Sequence, residues 1–122
     1  MKQIRILLVD EHPEVVKQVE TRLSYEEGLD VYKCTSLSQT IENIVKRKPD
    51  VLLIDPYHNG FDFDGLKQAK KTKPSMTIIV LTAVVDTSAY SDLTRAGAEY
   101  ILEKSIDSDE LVSTIHKVMN KV

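Results

Sequence analysis

Cys34 is the single cysteine in 122 residues, so no internal disulfide forms. A reducing cytoplasm is the compartment this favours. No apolar run approaches the length of a membrane span, and the first residues lack the apolar core of a secretory signal. Basic residues are not in excess: 16 stand against 19 acidic ones, and the net charge is −3. A domain with that balance lacks the electrostatic footprint of a direct nucleic-acid binder. A glycine-rich phosphate loop is also missing after the first apolar run, where Asp10-Glu11-His12-Pro13 stands instead. A flavin or dinucleotide binder is therefore unsupported. No repeat, linker or low-complexity tract divides the chain, and its length suits one domain, residues 1–122.

What the chain does have is a set of short apolar runs ending in carboxylates. Ile6 to Val9 leads straight into Asp10 and Glu11, and Val51 to Ile54 leads into Asp55. Such runs read as buried parallel strands emerging at their C-terminal edge, where open α/β sheets bind ligands. Three carboxylates gathered there repel one another unless a cation neutralises them. Hard oxygen donors of this kind suit Mg²⁺.

Periodicity places strands at Ile4 to Val9, Leu29 to Cys34, Val51 to Ile54, Thr77 to Thr82 and Glu99 to Leu102. Helices alternate with them: 13 to 25, a second capped by Ser38, Gly65 to Lys71, Asp86 to Ala96, and a last one capped by Ser108. Pro56 to Asp64 reads as a loop. Alternating strands and helices call for a mainly parallel sheet covered on both faces, an α/β doubly wound fold. Cys34 reads as a small core residue, the three histidines as surface or packing residues, and Lys67, Lys70, Lys71 and Lys73 as a solvated helix face.

Every strand except the second ends in a residue able to do chemistry. Asp10-Glu11, the isolated Asp55, Leu81-Thr82-Ala83, and Lys104 after Tyr100-Ile101-Leu102 follow in order along the chain. In that arrangement the sequence resembles the receiver domain of a two-component response regulator, over essentially its whole length. The resemblance implies a flavodoxin-like sheet of five strands in the order 2-1-3-4-5. His12-Pro13, Arg95-Ala96-Gly97-Ala98 and a lysine not followed by proline are similar to receivers of LuxR/NarL-type regulators. That likeness implies a DNA-binding output domain beyond Val122.

Asp55 is the expected phosphoacceptor, since carboxylates act as nucleophiles toward phosphoryl groups. Asp10 and Glu11 are expected to hold Mg²⁺ beside it, and the resemblance adds the backbone carbonyl of Tyr57. Lys104 would neutralise one phosphoryl oxygen and Thr82 would donate a hydrogen bond to another. The resemblance further implies a switch in which Thr82 moves inward and Tyr100 follows. It implies a sensor histidine kinase as donor, and the helix 4–strand 5–helix 5 face, roughly residues 86 to 120, as output or homodimer surface. Tyr57 and Val84 would flank the phosphoryl group and tune its lifetime. Taken singly, each residue has a plainer account: a helix cap for Asp10 or Glu11, a turn before Pro56 for Asp55, a solvated amine for Lys104. Their joint order is what argues for a site.

Two departures mark the chain. The loop after Asp55 carries no Met-Pro pair, and Ser105 follows Lys104 where many receivers have proline. The altered loop motivates a competing expectation, a receiver-like interaction module that works without phosphorylation. A Mg²⁺-dependent phosphohydrolase usually needs a second aspartate two places after the first, and Tyr57 stands there. The expectation is thus a phosphoacceptor, not an enzyme.

Overall fold

A computed structural model describes residues 3–57, 63–83 and 87–119. The elements are β1 (Ile4–Val9), α1 (Pro13–Ser24), β2 (Leu29–Cys34), α2 (Leu37–Arg47), β3 (Val51–Ile54), α3 (Phe63–Thr72), β4 (Thr77–Thr82), α4 (Tyr90–Arg95), β5 (Ala98–Glu103) and α5 (Ser108–Met119). All five strands pair in parallel, in the order β2-β1-β3-β4-β5. The flavodoxin-like expectation is met.

Alternation along each strand sorts the core into two layers. Leu7, Val9, Leu52, Ile54, Ile78 and Val80 face α2, α3 and α4, where Ile44, Leu66, Ala69 and Leu93 meet them. Ile6, Leu8, Val51, Leu53, Ile79 and Leu81 face α1 and α5, where Val16, Val19, Leu23, Leu111 and Ile115 meet them. The four residues of β3 are at most 1% exposed. A strand apolar on both faces needs cover on both, and each such side chain contributes roughly 1.5–3 kcal/mol by burial.

Several element boundaries differ from the sequence expectation. Ser36, not Ser38, caps α2: its hydroxyl accepts from the Gln39 N–H at 3.3 Å, and Leu37 opens the helix. Asp107 precedes α5 and performs the cap there, its carboxylate accepting from the Asp109 N–H at 2.9 Å. In both cases the oxygen sits one or two residues earlier than expected, because the cap lies outside the helical turns it serves. Phe63 and Asp64 belong to α3 instead of the preceding loop. Phe63 packs on the α2–α4 side of the core, and Asp64 suits the positive start of the helix. The fourth helix begins as a 3-10 turn, Thr87–Ala89, before α4 proper, and Asp86 lies outside the described residues. Strand β5 extends to Ala98 and Glu103, with a register shift opposite Ile78 and Ile79 that leaves Glu99 unopposed.

That bulge has a use. Glu99 is freed to meet Lys70 Nζ at 3.0 Å, while the same ammonium donates to the Met76 carbonyl at 2.6 Å. Lys73 Nζ donates to the Pro49 carbonyl at 2.6 Å. Two of the four lysines expected on a solvated face therefore tie α3 to its neighbours. Gly97, at φ 118°, lets the Lys70 stem pass; a Cβ there would lie 2.9 Å from Lys70 Cγ. Among the described residues, no helix is long and apolar enough to cross a membrane.

Candidate functional site

The chain enters β1, crosses to the edge strand β2, and returns past β1 to β3. The connections on either side of the β1–β3 pair therefore leave in opposite directions, which is the switch point where open α/β sheets place their ligands. Val9 and Ile54 are register partners, so the residues that follow them emerge side by side. The Asp55 N–H donates to the Val9 carbonyl at 3.1 Å, carrying the ladder one step past β3.

Three polar residues are buried there. Asp10 is 3% exposed, Asp55 8% and Thr82 2%. Buried carboxylates need partners, since an unpaired buried charge is costly. Lys104 supplies them: its Nζ lies 2.8 Å from Asp10 Oδ2 and 2.6 Å from Asp55 Oδ2. One ammonium thus bridges the ends of β1 and β3. The second oxygen of each carboxylate is held by local backbone. Asp10 Oδ1 accepts from the His12 N–H at 2.9 Å, and Asp55 Oδ1 from the Tyr57 N–H at 3.0 Å. These bonds fold the carboxylates back over their own chain in Asx-turns. Asp10 serves its own turn, and the N-cap of α1 is His12, which makes no side-chain cap bond.

The electrostatics follow from that geometry. Burial pushes the Asp10 carboxyl up, but hydrogen bonds from Lys104 and from the His12 backbone and ring outweigh it and hold the group below the ordinary carboxyl range. Burial likewise disfavours the charged Lys104, and its bonds to Asp10 and Asp55 reverse the balance and raise its pKa. Elsewhere burial pushes the Cys34 thiol up, with the Thr40 hydroxyl at 3.4 Å opposing, as expected of an inert core cysteine.

Thr82 ends β4 opposite Glu103, and its carbonyl accepts from the Lys104 N–H at 2.9 Å. Tyr100 pairs with Ile79, three positions before Thr82, and packs against the α1–α5 side of the core. Tyr57 is 38% exposed, with its ring edge-on to Phe63 at 6.4 Å between centroids. Val84 lies outside the described residues. The expected trio of metal-holding carboxylates is not assembled: among the described residues, no three His, Cys, Asp or Glu side chains are gathered as a metal-holding group. Asp10 and Asp55 instead share an ammonium, which neutralises two neighbouring anions as a divalent ion would. Their donor chemistry still fits Mg²⁺, because all are hard oxygens and one cation already spans two of them.

One neighbour of the site was missed from the sequence. His12 Nδ1 lies 3.0 Å from Asp10 Oδ1, and Nε2 lies 3.9 Å from Glu11 Oε1. The available signal was its place directly after the acidic pair.

A family model described as the response regulator receiver domain matches residues 6–116. Among curated proteins, the chain is 29% identical to the response regulator protein VraR of Staphylococcus saprophyticus, across 96% of this chain and 57% of that protein. It is 27% identical to the chemotaxis protein CheY of Thermotoga maritima, across 93% of this chain and 96% of that one. The chain spans about half the length of the first curated relatives it matches. A two-component response regulator of the LuxR family from Aurantimonas superposes with a TM-score of 0.88, covering 97% of this chain and 86% of that chain. At 21% identity, that likeness speaks for the fold alone.

Proposed function

The chain belongs to the response regulator receiver domain family, and from that premise we propose that it is a phosphorylation switch with Asp55 as phosphoacceptor. The observation that carries the reading is the Lys104 ammonium 2.6 Å from Asp55 Oδ2, at the strand edge where open α/β sheets bind ligands. An Asp55 oxygen attacks phosphorus on a phosphohistidine of a sensor histidine kinase. The phosphorus–nitrogen bond breaks, the imidazole leaves, and an acyl phosphate remains on Asp55. Little covalent chemistry is asked of the protein, so positioning and charge neutralisation carry the step. Lys104 would follow the transferred group as a point charge, and the Thr82 hydroxyl would donate to another of its oxygens.

Asp10, Glu11, Asp55 and the Tyr57 carbonyl would hold Mg²⁺. When bound, the ion supplies positive charge to the phosphoryl oxygens and relieves repulsion among the carboxylates. Thr82 and Tyr100 would report the new charge to α4, β5 and α5, shifting that face toward an output-competent or dimerising form. Tyr57 and Val84 would set the lifetime of the acyl phosphate. Curated relatives about twice as long as the matched segment, two of them named as transcriptional regulators, support an output domain beyond Val122 with transcription as the controlled process. Family membership agrees with a phosphoacceptor, not a catalyst with turnover.

Labelling with a small radioactive acyl phosphate, compared with Asp55→Asn, tests the assignment. Wild type should incorporate label and the variant should not; equal labelling of both sinks it. A second reading, a receiver-like module that works without phosphorylation, draws on one observation. The seat between Asp10 and Asp55 is already filled by an ammonium. A titration showing no Mg²⁺ affinity would favour that reading.

A further inference from the structure

Lys104 sits on a loop, not in a strand or helix. It leaves β5 directly, and residues 104 to 107 lead into α5. Two backbone bonds shape the start of this loop: Lys104 N–H to the Thr82 carbonyl at 2.9 Å, and Ile106 N–H to the Glu103 carbonyl at 3.0 Å. Between them Ser105 leaves φ unfixed, as proline would not, and its hydroxyl donates only a long 3.4 Å bond to the Glu103 carboxylate. A long ammonium side chain on so short a support needs a further anchor to stay on two carboxylates at once.

The anchor comes from across the fold. The Ile106 carbonyl accepts a hydrogen bond from Arg22 Nη1 at 3.2 Å, over 84 positions of sequence. Arg22 lies in the last turn of α1. Helical side chains lean toward their helix N-terminus, and the N-terminus of α1 follows the acidic pair at the C-terminal edge of the sheet. Arg22 therefore reaches back toward the site edge, where the loop lies. The Ile106 side chain packs against the core layer shared by α1 and α5, so the same residue is gripped by both side chain and carbonyl. Helix α1 thus meets the site twice: its start follows Asp10 and Glu11, and its end holds the lysine loop.

We propose that Arg22 is a positioning residue for Lys104. By donating to the Ile106 carbonyl it clamps the β5–α5 loop onto α1 and keeps the ammonium seated on Asp10 and Asp55. The consequence for phosphoryl handling rests on the function proposed above, but the clamp itself does not. A guanidinium suits the task because its planar donors hold a fixed direction. Arg22→Lys keeps charge and stem yet loses that fork, so it should restore the clamp in part.

The test reads Lys104 directly. Hydrogen exchange of side-chain ammonium groups is followed by nitrogen NMR on the whole chain, without metal or phosphoryl donor. Lys104 should exchange roughly tenfold faster in Arg22→Ala and Arg22→Gln than in wild type, as expected for losing one charge-assisted hydrogen bond. Arg22→Lys should recover part of the protection. Lys33, paired with Glu20 on the surface at 3.1 Å, should not change. Unchanged Lys104 exchange in either folded variant overturns the proposal. So does a matching change at Lys33 with a lowered melting point, because that is general loosening. Acyl phosphate labelling of the same proteins separates the two claims. Wild type that fails to label removes the phosphoacceptor reading and leaves the clamp. Wild type that labels, with Lys104 exchange indifferent to Arg22, removes the clamp and leaves the reading.

Discussion

Lys104→Met removes the ammonium that bridges the buried carboxylates, and its effect on stability is large enough to measure. Each ammonium–carboxylate hydrogen bond contributes roughly 1.5–3 kcal/mol. Stripping one partner from a buried pair costs about 3–5 kcal/mol, because the survivor is left uncompensated. The Lys104 side chain is itself 19% exposed, so water reaches the carboxylates once it is gone. The lower end, about 3 kcal/mol, is therefore the expectation. With a urea slope of about 2 kcal/mol per molar, the midpoint should fall by about 1.5 M. The pH dependence has a definite sign. Asp10 has a lowered pKa, so its contribution is complete above the ordinary value of 3.8 and disappears as pH falls through the lowered one. Lys104 has a raised pKa, so its contribution is complete below the ordinary 10.5 and disappears as pH rises through the raised one. The gap between wild type and variant should be widest between those limits and close toward both. Urea unfolding followed by circular dichroism measures it. Coincident midpoints at neutral pH, or a gap that persists unchanged into strong acid, refute the reasoning.

The same variant should bind Mg²⁺ about tenfold tighter by titration calorimetry, since a competing cation has been removed; weaker or equal affinity would show that metal and ammonium do not share these carboxylates. Gly97→Ala should cost about 1–3 kcal/mol in thermal unfolding, from the positive φ and the encounter with the Lys70 stem; an unshifted melting point would contradict that packing. Ser36→Ala should lose about 1 kcal/mol, whereas Ser38→Ala should lose under about 0.5 kcal/mol. A larger loss at Ser38 than at Ser36 would return the cap to Ser38.

Much of the site could be read from order alone. Asp10 and Asp55 each follow four apolar residues, and a parallel sheet delivers such residues to one edge whatever the details between. Thr82 likewise follows four apolar residues, and Lys104 is the residue to which strand five leads. What escaped was local and lateral. Capping by Ser36 and Asp107 depends on where the first turn closes, and several nearby oxygens compete for that role. Lys70 and Lys73 looked like a solvated face because helical periodicity records which side a residue occupies, not what lies across from it. The bulge that frees Glu99 leaves no trace in the sequence of β5.

Alternation of buried strands with amphipathic helices, and the chemistry placed at strand ends, were settled by the amino-acid sequence, because burial on two faces and right-handed crossovers leave few folds open. That one ammonium meets both buried carboxylates was settled only by the tertiary structure. Lys104 reaches Asp10 and Asp55 across 94 and 49 positions of sequence, and Arg22 reaches the loop that carries it across 84. Such contacts depend on how α1 and α5 pack on a shared face, and packing is a property of the assembled layers, not of any one segment.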